Sequence, residues 1–393
     1  MKENLYLEKL IKVYFLFLLT THTFFLYQHL GEFPSKYVFS DWLINYEGGF
    51  IRRGLLGQVI YEILIFTKFK IENIIFFFQI TAYLSYFILM IRCIKNLKLN
   101  FFWILLIFST ISLLYPISEL EALGRKDIYV LLLFLCFSFI NYKSFSILIF
   151  SFILIFTIST LIHEITLFYI LFYFLIIGLN NKYKFKKTIN ISYIIILLIY
   201  LLLLIYLILA IGNKADIQSI IDSYKIELIN INIGTGAIGW LSKSFIDQII
   251  YVTQNISLIN FMRYFYILVI NVLVITYFLN LKFLLFNKFN IKLILTFLII
   301  SVFPVYFIAL DWGRITYITF NFIIILIFYL NHQNLIDHEY IEKRVNKISE
   351  KTKFLIFIIV CVLFAPKILL TDDLSGIPIY KILRKLVESL FIV

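Results

Sequence analysis

The feature that most constrains this chain is the recurrence of long apolar runs along its whole length. Each run of about 18 to 20 residues is long enough to cross the hydrocarbon core of a bilayer. Of the 393 residues, 62% are hydrophobic and 19% aromatic, whereas soluble domains are about half apolar. The sequence therefore predicts an all-α polytopic membrane protein, a single membrane domain over residues 1–393 with about eleven transmembrane helices.

The distribution of basic residues orients this predicted bundle. Lys2, Lys9 and Lys12 precede the first apolar run, Val13–His29, which lacks a small-residue cleavage pattern and is expected to be retained. The positive-inside rule then places the N-terminus in the cytoplasm. Segments on the inner side hold a large excess of Lys and Arg, while the outer segments are nearly neutral. The net charge of +12 is thus explained by membrane orientation, and no nucleic-acid partner is expected.

Two long segments, 30–73 and 212–262, are expected on the outer side. Within the first, Leu55–Phe66 has about twelve residues, too few for a crossing, and we expect an interfacial helix there. A crossing at this point would move Arg92, Lys95 and Lys98 outside, against the orientation rule. The tail Thr371–Val393 is expected to be an outer amphipathic segment. Spanning helices are predicted over Ile74–Ile91, Phe101–Ile117, Ile128–Ile140, Ile165–Leu179, Ile189–Ile211, Arg263–Leu279 and Phe354–Leu370, and three more end near Ile162, Leu310 and Leu330.

The stretch Ser40–Gly54 is dense in charge for a chain with only 15% charged residues. It holds Asp41, Glu47, Arg52 and Arg53 together with three glycines. Carboxylates beside guanidiniums offer proton transfer and anion binding in one place. The alternative is a surface loop whose tryptophan and arginines anchor a helix at the membrane boundary.

Three more polar clusters are expected on the same outer side. Each alone is also typical of an ordinary helix end, a solvated turn or an i, i+3 pair. Their convergence on one face favours a shared polar cavity, because charges near membrane depth usually pair or line water. The clusters consist of Glu119, Glu121, Arg125, Lys126 and Asp127; of His163 and Glu164; and of Asp311 and Arg314.

These residue types exclude some chemistries and leave others open. The three cysteines are scattered and no HExxH pattern occurs, so a dedicated zinc site is not expected. Carboxylates alone are able to hold a divalent cation such as Mg²⁺ or Mn²⁺, but no cofactor is required by the pattern. A GxSxG elbow, the mark of many serine hydrolases, is missing from the sequence. Carboxylates next to arginines and a lysine suit a base acting beside a bound phosphate.

The order of these loops resembles that of the GT-C class of membrane glycosyltransferases. The resemblance covers about the first 280 residues, a GT-C-like module with outer loops 30–73 and 212–262, and leaves 281–393 as additional C-terminal helices. It implies that Asp41, or Glu47, is the general base and that Glu121 and Asp127 assist or hold a cation. It also implies a donor-phosphate site at Arg52, Arg53, Arg125, Lys126 and Arg314, with Glu119, His163, Glu164 and Asp311 in support. One departure from the class is that Asp41 is followed by Trp42 instead of a second acid.

The GGFIRRGLLG stretch at residues 48–57 also resembles polytopic proteins of bacterial surface-polysaccharide loci, among them O-antigen polymerases of the Wzy type. This resemblance implies a bacterial inner-membrane location, a polyprenyl-linked saccharide donor, a glycan or lipid acceptor, and contact with membrane lipids. A polymerase and a single-sugar transferase remain alternatives. A transporter or flippase of lipid-linked saccharides, or a structural subunit, is the competing class, since charged and re-entrant segments also serve transporters.

Overall fold

The computed structural model describes residues 2–28, 36–95, 97–185, 191–208, 216–224, 236–241, 243, 245–279, 291–363, 367 and 377–391. Among these residues all regular structure is helical and no strand is present. Five helices are long and apolar enough to cross a membrane, and they indicate a multi-pass α-helical membrane protein. They are Lys9–Gln28, Ile71–Ile94, Phe145–Ile162, Glu164–Phe185 and Trp312–His332.

The helices follow the apolar runs, with short polar segments between them. In the first half they are α1 Lys2–Gln28, α2 Lys36–Trp42, α3 Gly54–Thr67, α4 Ile71–Ile94, α5 Phe101–Phe108, α6 Tyr115–Ser118, α7 Asp127–Phe139, α8 Phe145–Ile162, α9 Ile170–Leu179 and α10 Ile191–Tyr206. A 3₁₀ turn Glu164–Tyr169 precedes α9, and a π-helical turn Asn180–Phe185 follows it.

The second half begins with three short helices inside the segment that was expected to be an outer loop. Its helices are α11 Ile217–Asp222, α12 Ala237–Leu241, α13 Phe245–Asn255, α14 Leu258–Phe278, α15 Ile291–Val302, α16 Trp312–His332, α17 His338–Lys347, α18 Glu350–Ile358 and α19 Pro378–Phe391. A 3₁₀ turn Phe303–Phe307 extends α15, and a π-helical turn Ile359–Leu363 extends α18. The predicted helix at Arg263 thus begins five residues earlier, and the predicted amphipathic tail contains a helix.

The prediction of one continuous helix over Phe101–Ile117 is wrong. Helix α5 ends at Phe108, and the chain turns before α6. The backbone N–H and the hydroxyl of Thr110 both bond to the carbonyl of Val360, at 3.2 Å each. This tertiary contact takes the place of helical hydrogen bonds, and Pro116, which lacks an N–H, stands at the start of α6.

The chain divides into two compact units, each discontinuous in sequence. The first unit comprises Met1–Phe25, Phe87–Leu123 and Ile249–Val393, and the second comprises Leu26–Tyr86 and Gly124–Gln248. A single membrane domain over 1–393 stays a prediction.

In the first unit, α16 is the central helix. Every residue from Trp312 to Leu330 is buried, and α16 contacts α14 and α15 of the same unit. Helix α19 packs on α6, where Lys381 Nζ lies 2.5 Å from Glu119 Oε1 and Lys385 Nζ donates to the Ser118 carbonyl at 2.8 Å.

In the second unit, the two long segments predicted on one side pack against each other. Trp42, Leu43 and Ile44 share an apolar cluster with Ile220 and Ile238. Polar contacts accompany this packing: Asp216 donates its N–H to the Gly48 carbonyl at 2.8 Å, and Ala237 donates to Ser40 Oγ at 2.7 Å. The charged stretch Ser40–Gly54 therefore packs against α11 and α12.

Helix α3 confirms the predicted helix at Leu55–Phe66. Its 14 residues extend about 21 Å, short of the roughly 30 Å hydrocarbon core. Gly57 lies against the Ile44 carbonyl, closely enough that a Cβ at this position would clash with it. The helix therefore sits directly on the charged loop that precedes it.

Candidate functional site

Arg53 is the centre of a buried charge cluster in the second unit. It stands just before α3 in the left-handed conformation, with φ of 65°, which costs a residue with a Cβ about 1–2 kcal/mol. Its guanidinium binds the Glu164 carboxylate with two nitrogens, Nε at 2.7 Å and Nη2 at 2.5 Å. Bidentate pairs of this kind are strong and directional. The strained backbone at Arg53 is thus offset by an ion pair with a residue 111 positions away.

Asp41, at the end of α2, lies next to this pair. It is only 2% exposed, and Arg53 Nη1 is 3.7 Å from its Oδ1. Within the described residues, neither oxygen of Asp41 has a hydrogen-bond partner. Because Glu164 takes the close contacts of Arg53, Asp41 keeps the lone pairs of both oxygens available to a further group.

The turn before α7 brings a lysine to the same place. Gly124 has φ of 76°, and its carbonyl accepts from Trp42 Nε1 at 2.6 Å and from Gln79 Nε2 at 2.8 Å. Two residues later, Lys126 Nζ donates to the Arg53 carbonyl at 2.8 Å. The turn therefore couples α7 to the loop of Arg53.

Burial sets the protonation of the cations in this cluster. It lowers the pKa of Lys126 to about 8, although the Asp41 carboxylate acts in the opposite direction. Burial also lowers the pKa of Arg52, partly offset by Glu164. For Arg53 burial acts in the same way, but the carboxylates of Glu164 and Asp41 outweigh it and raise the pKa. Arg53 is therefore a permanent cation, whereas Lys126 can lose its proton at mildly alkaline pH.

His163 joins Asp127 to this cluster. Its Nδ1 accepts the Ile165 N–H at 3.2 Å, so the neutral ring carries its proton on Nε2. That nitrogen lies 3.8 Å from Asp127 Oδ1. The ring therefore presents its proton towards Asp127, the first residue of α7.

Arg52, next to Arg53 in the chain, is another buried cation. It is 4% exposed, and in the part of the chain that the structure describes its Nε has no hydrogen-bond partner. Leaving a buried donor unpaired costs about 1–3 kcal/mol. An anion bound at Arg52 would recover that cost.

The other predicted site residues differ in burial and in partners. Glu47 is exposed, and Gln58 Nε2 donates to its carboxylate at 3.3 Å. Arg125 is buried in the second unit. Four residues belong to the first unit, where Glu119 pairs with Lys381 and Arg314 Nε lies 3.2 Å from Asp311 Oδ2. The fourth, Glu121, is half-buried.

Trp42 and Gln79 were missed as site residues, although both hold the Gly124 turn. Gln79 did leave a signal in the sequence, since it is a polar residue within a run long enough to span a membrane, where such residues are costly. Trp42 gave none beyond its position next to Asp41.

A metal centre finds no ready ligand set here. Across the described ranges, no group of three His, Cys, Asp or Glu side chains is arranged to hold a metal ion. In the cluster around Arg53 the carboxylates face guanidinium and ammonium groups. A cation such as Mg²⁺ or Mn²⁺ therefore enters no step proposed below.

Comparisons with known proteins give no relative for this chain. No protein-family model matches the sequence, and the searches of curated proteins and of solved structures return no match.

Proposed function

We propose that this protein transfers a glycosyl unit from a polyprenyl-phosphate or -diphosphate carrier to a hydroxyl group of a growing surface glycan or a lipid acceptor. The observation that carries the proposal is the state of Asp41. A buried carboxylate with two unbonded oxygens, 3.7 Å from a guanidinium, has the properties of a general base awaiting its substrate.

The proposed reaction needs one base and one anion site. The oxygen of the acceptor hydroxyl attacks the anomeric carbon of the donor sugar, and Asp41 takes the proton of that hydroxyl. The bond from that carbon to the carrier phosphate breaks, and the phosphate leaves with the electron pair. Arg52 and Lys126 stabilise the leaving phosphate, since buried cations are worth more than exposed ones against developing charge. Arg53 stays bound to Glu164 and positions Asp41.

The proposal includes the finer topology predicted from the sequence. About eleven spans, a cytoplasmic N-terminus and the bacterial inner membrane would put the Ser40–Gly54 loop on the outer face. The proposed donor, a polyprenyl-linked saccharide, is used on that face. A single-sugar transferase and an O-antigen polymerase of the Wzy type both need a lipid-linked donor on that face.

The proposal is tested by Asp41→Asn in a host that lacks its own copy of the gene. Because amide nitrogen cannot accept the acceptor proton, we expect chain extension to fall by about 100-fold or more. The measurement is the length distribution of the surface polysaccharide on a gel, with the membrane level of the protein determined in parallel.

Glu62→Gln is the matched control. Glu62 is an exposed residue of α3, and its carboxylate accepts a hydrogen bond from Gln58 Nε2. This variant should extend the glycan at the normal rate. Normal extension by an Asp41→Asn variant at normal membrane level would refute the proposal.

A carrier of lipid-linked saccharides is the second candidate function. It is favoured by one observation: Asp41, Lys126 and Asp127 are almost fully buried, as ion-coupling groups in transporters are. Purified protein in liposomes with a polyprenyl-linked saccharide and an acceptor separates the two. Lengthened glycan supports the transferase, while transbilayer movement without a new glycosidic bond supports the carrier.

A further inference from the structure

An apolar groove runs between α1 and α19 in the first unit. Its volume is about 230 Å³, and its exposed lining is entirely apolar. This is more than the roughly 150 Å³ that admits a benzene-sized molecule and less than the 300 Å³ or more of pockets for drug-sized ligands. A groove of this volume can hold part of one hydrocarbon chain. The lining includes Tyr14, Phe17, Leu114, Cys361, Ile379 and Leu383.

One wall of the groove belongs to a helix that is long and apolar enough to span a membrane. On this helix Val13 and Leu16 are each 62% exposed. Aliphatic side chains left exposed on such a helix are compatible with hydrocarbon around them, because lipid is as apolar as they are. The groove therefore opens at a surface that would face lipid tails.

The other wall is α19, which has two lysines on its protein side and apolar residues on its exposed side. Lys381 and Lys385 turn towards the protein, where they meet Glu119 and the Ser118 carbonyl. Tyr380, Leu383 and Val387, spaced three and four residues apart, form an exposed apolar row. Arg384 of the same helix is exposed and pairs with the half-exposed Glu388 at 2.7 Å. A helix with an exposed apolar row beside a charged pair on its surface suits the boundary of a membrane.

We propose that this groove binds one acyl chain of a bilayer phospholipid, with α19 lying along the membrane surface as its outer wall. A helix of a second copy, about 10 Å across, is too wide for a groove of this volume. Filling the groove covers the exposed faces of Phe17, Ile379 and Leu383. The proposal does not depend on glycosyl transfer.

The test is photocrosslinking of the full chain in liposomes that contain a phospholipid with a diazirine in its acyl chain. Mass spectrometry of the digested protein should find adducts concentrated on peptides from α1 and α19. Leu383→Trp fills the groove and should reduce these adducts several-fold. Ile379→Trp is a second variant with the same expectation, and size-exclusion chromatography shows whether either one is folded.

Val387→Trp is the matched control, since Val387 is exposed on the same helix and does not line the groove. It should be labelled like the wild type. Equal labelling of the groove peptides in the wild type and both filled variants would mean general lipid contact only, and would overturn the proposal. Loss of label to excess polyprenyl phosphate, but not to unlabelled phospholipid, would identify a carrier chain instead and overturn it too.

Discussion

Lys126 shows how one buried residue can make this protein sensitive to pH. Its ammonium is fully enclosed and donates to the Arg53 carbonyl, and the Asp41 carboxylate opposes the lowering of its pKa. Burying a charge costs free energy unless a partner compensates it. Since the lowered pKa persists beside a carboxylate, desolvation is the larger effect here.

The consequence is a stability that rises with pH. The folded pKa of Lys126 is about 8, against 10.5 for an ordinary lysine. Below pH 8 both folded and unfolded states hold the proton, and the full cost of burying the charge is present. Between these two values the unfolded state binds more protons, so this residue adds at most about 1.4 kcal/mol of stability per pH unit. We expect Lys126→Gln to remove this rise.

The measurement is the midpoint of thermal unfolding in detergent between pH 7 and pH 10, for wild type and variant. The other titrating groups are common to both proteins, so the difference in slope reports on Lys126. Parallel curves would show that Lys126 does not change protonation on folding in this range.

The turn before α7 is an element whose geometry a single methyl group should disturb. Gly124 has φ of 76°, and a Cβ there would lie 2.6 Å from Gln79 Nε2. We expect Gly124→Ala to lower the free energy of unfolding by about 1–2 kcal/mol from the left-handed backbone alone. The displaced Gln79 amide adds to that. It should also impair glycan extension, because the turn positions Lys126.

Gly178 provides the control for that substitution. It lies in α9, and a Cβ at this position meets nothing within 4 Å. Because alanine favours a helix over glycine by about 1 kcal/mol, Gly178→Ala should leave stability unchanged or raise it. Thermal unfolding and the polysaccharide gel measure both variants. A Gly124→Ala protein as stable and active as Gly178→Ala would mean that the turn tolerates movement.

For the whole molecule, the decisive question is whether α3 crosses the membrane. If it does not, the predicted topology has three crossings between Glu47 and Lys143 and places the two residues on opposite sides. If it does, they share a side. Both are exposed, and the chain has only three cysteines to replace. Cysteine at residue 47 should therefore react with a membrane-impermeant maleimide in intact cells, and cysteine at residue 143 only after permeabilisation.

Labelling of both positions in intact cells would show that α3 spans. The Ser40–Gly54 loop and the clusters at residues 119–127, 163–164 and 311–314 would then lie on opposite sides of the membrane. Cysteine at residue 9, which is exposed and precedes α3 in the chain, is predicted to be inner in either case and serves as the control for membrane integrity.

Much of the fold follows from local sequence. The apolar runs by themselves determined an all-helical membrane protein, since backbone groups in hydrocarbon must be satisfied within a helix. The short helix at Leu55–Phe66 and the gathering of charge in Ser40–Gly54 were equally readable. The break after Phe108 was not, because it depends on Val360, a partner 250 residues away.

The sequence also determined which residue types meet at the candidate site, but the tertiary structure alone decided their partners. Arg52 and Arg53 are adjacent and chemically identical, yet only Arg53 forms the bidentate pair with Glu164. That choice follows from the left-handed backbone at Arg53 and from the packing that brings residue 164 to it. Such contacts join distant parts of the chain, and no local pattern of residues encodes them. The same packing leaves Asp41 buried with both oxygens unbonded among the described residues, which is the property on which its proposed role depends.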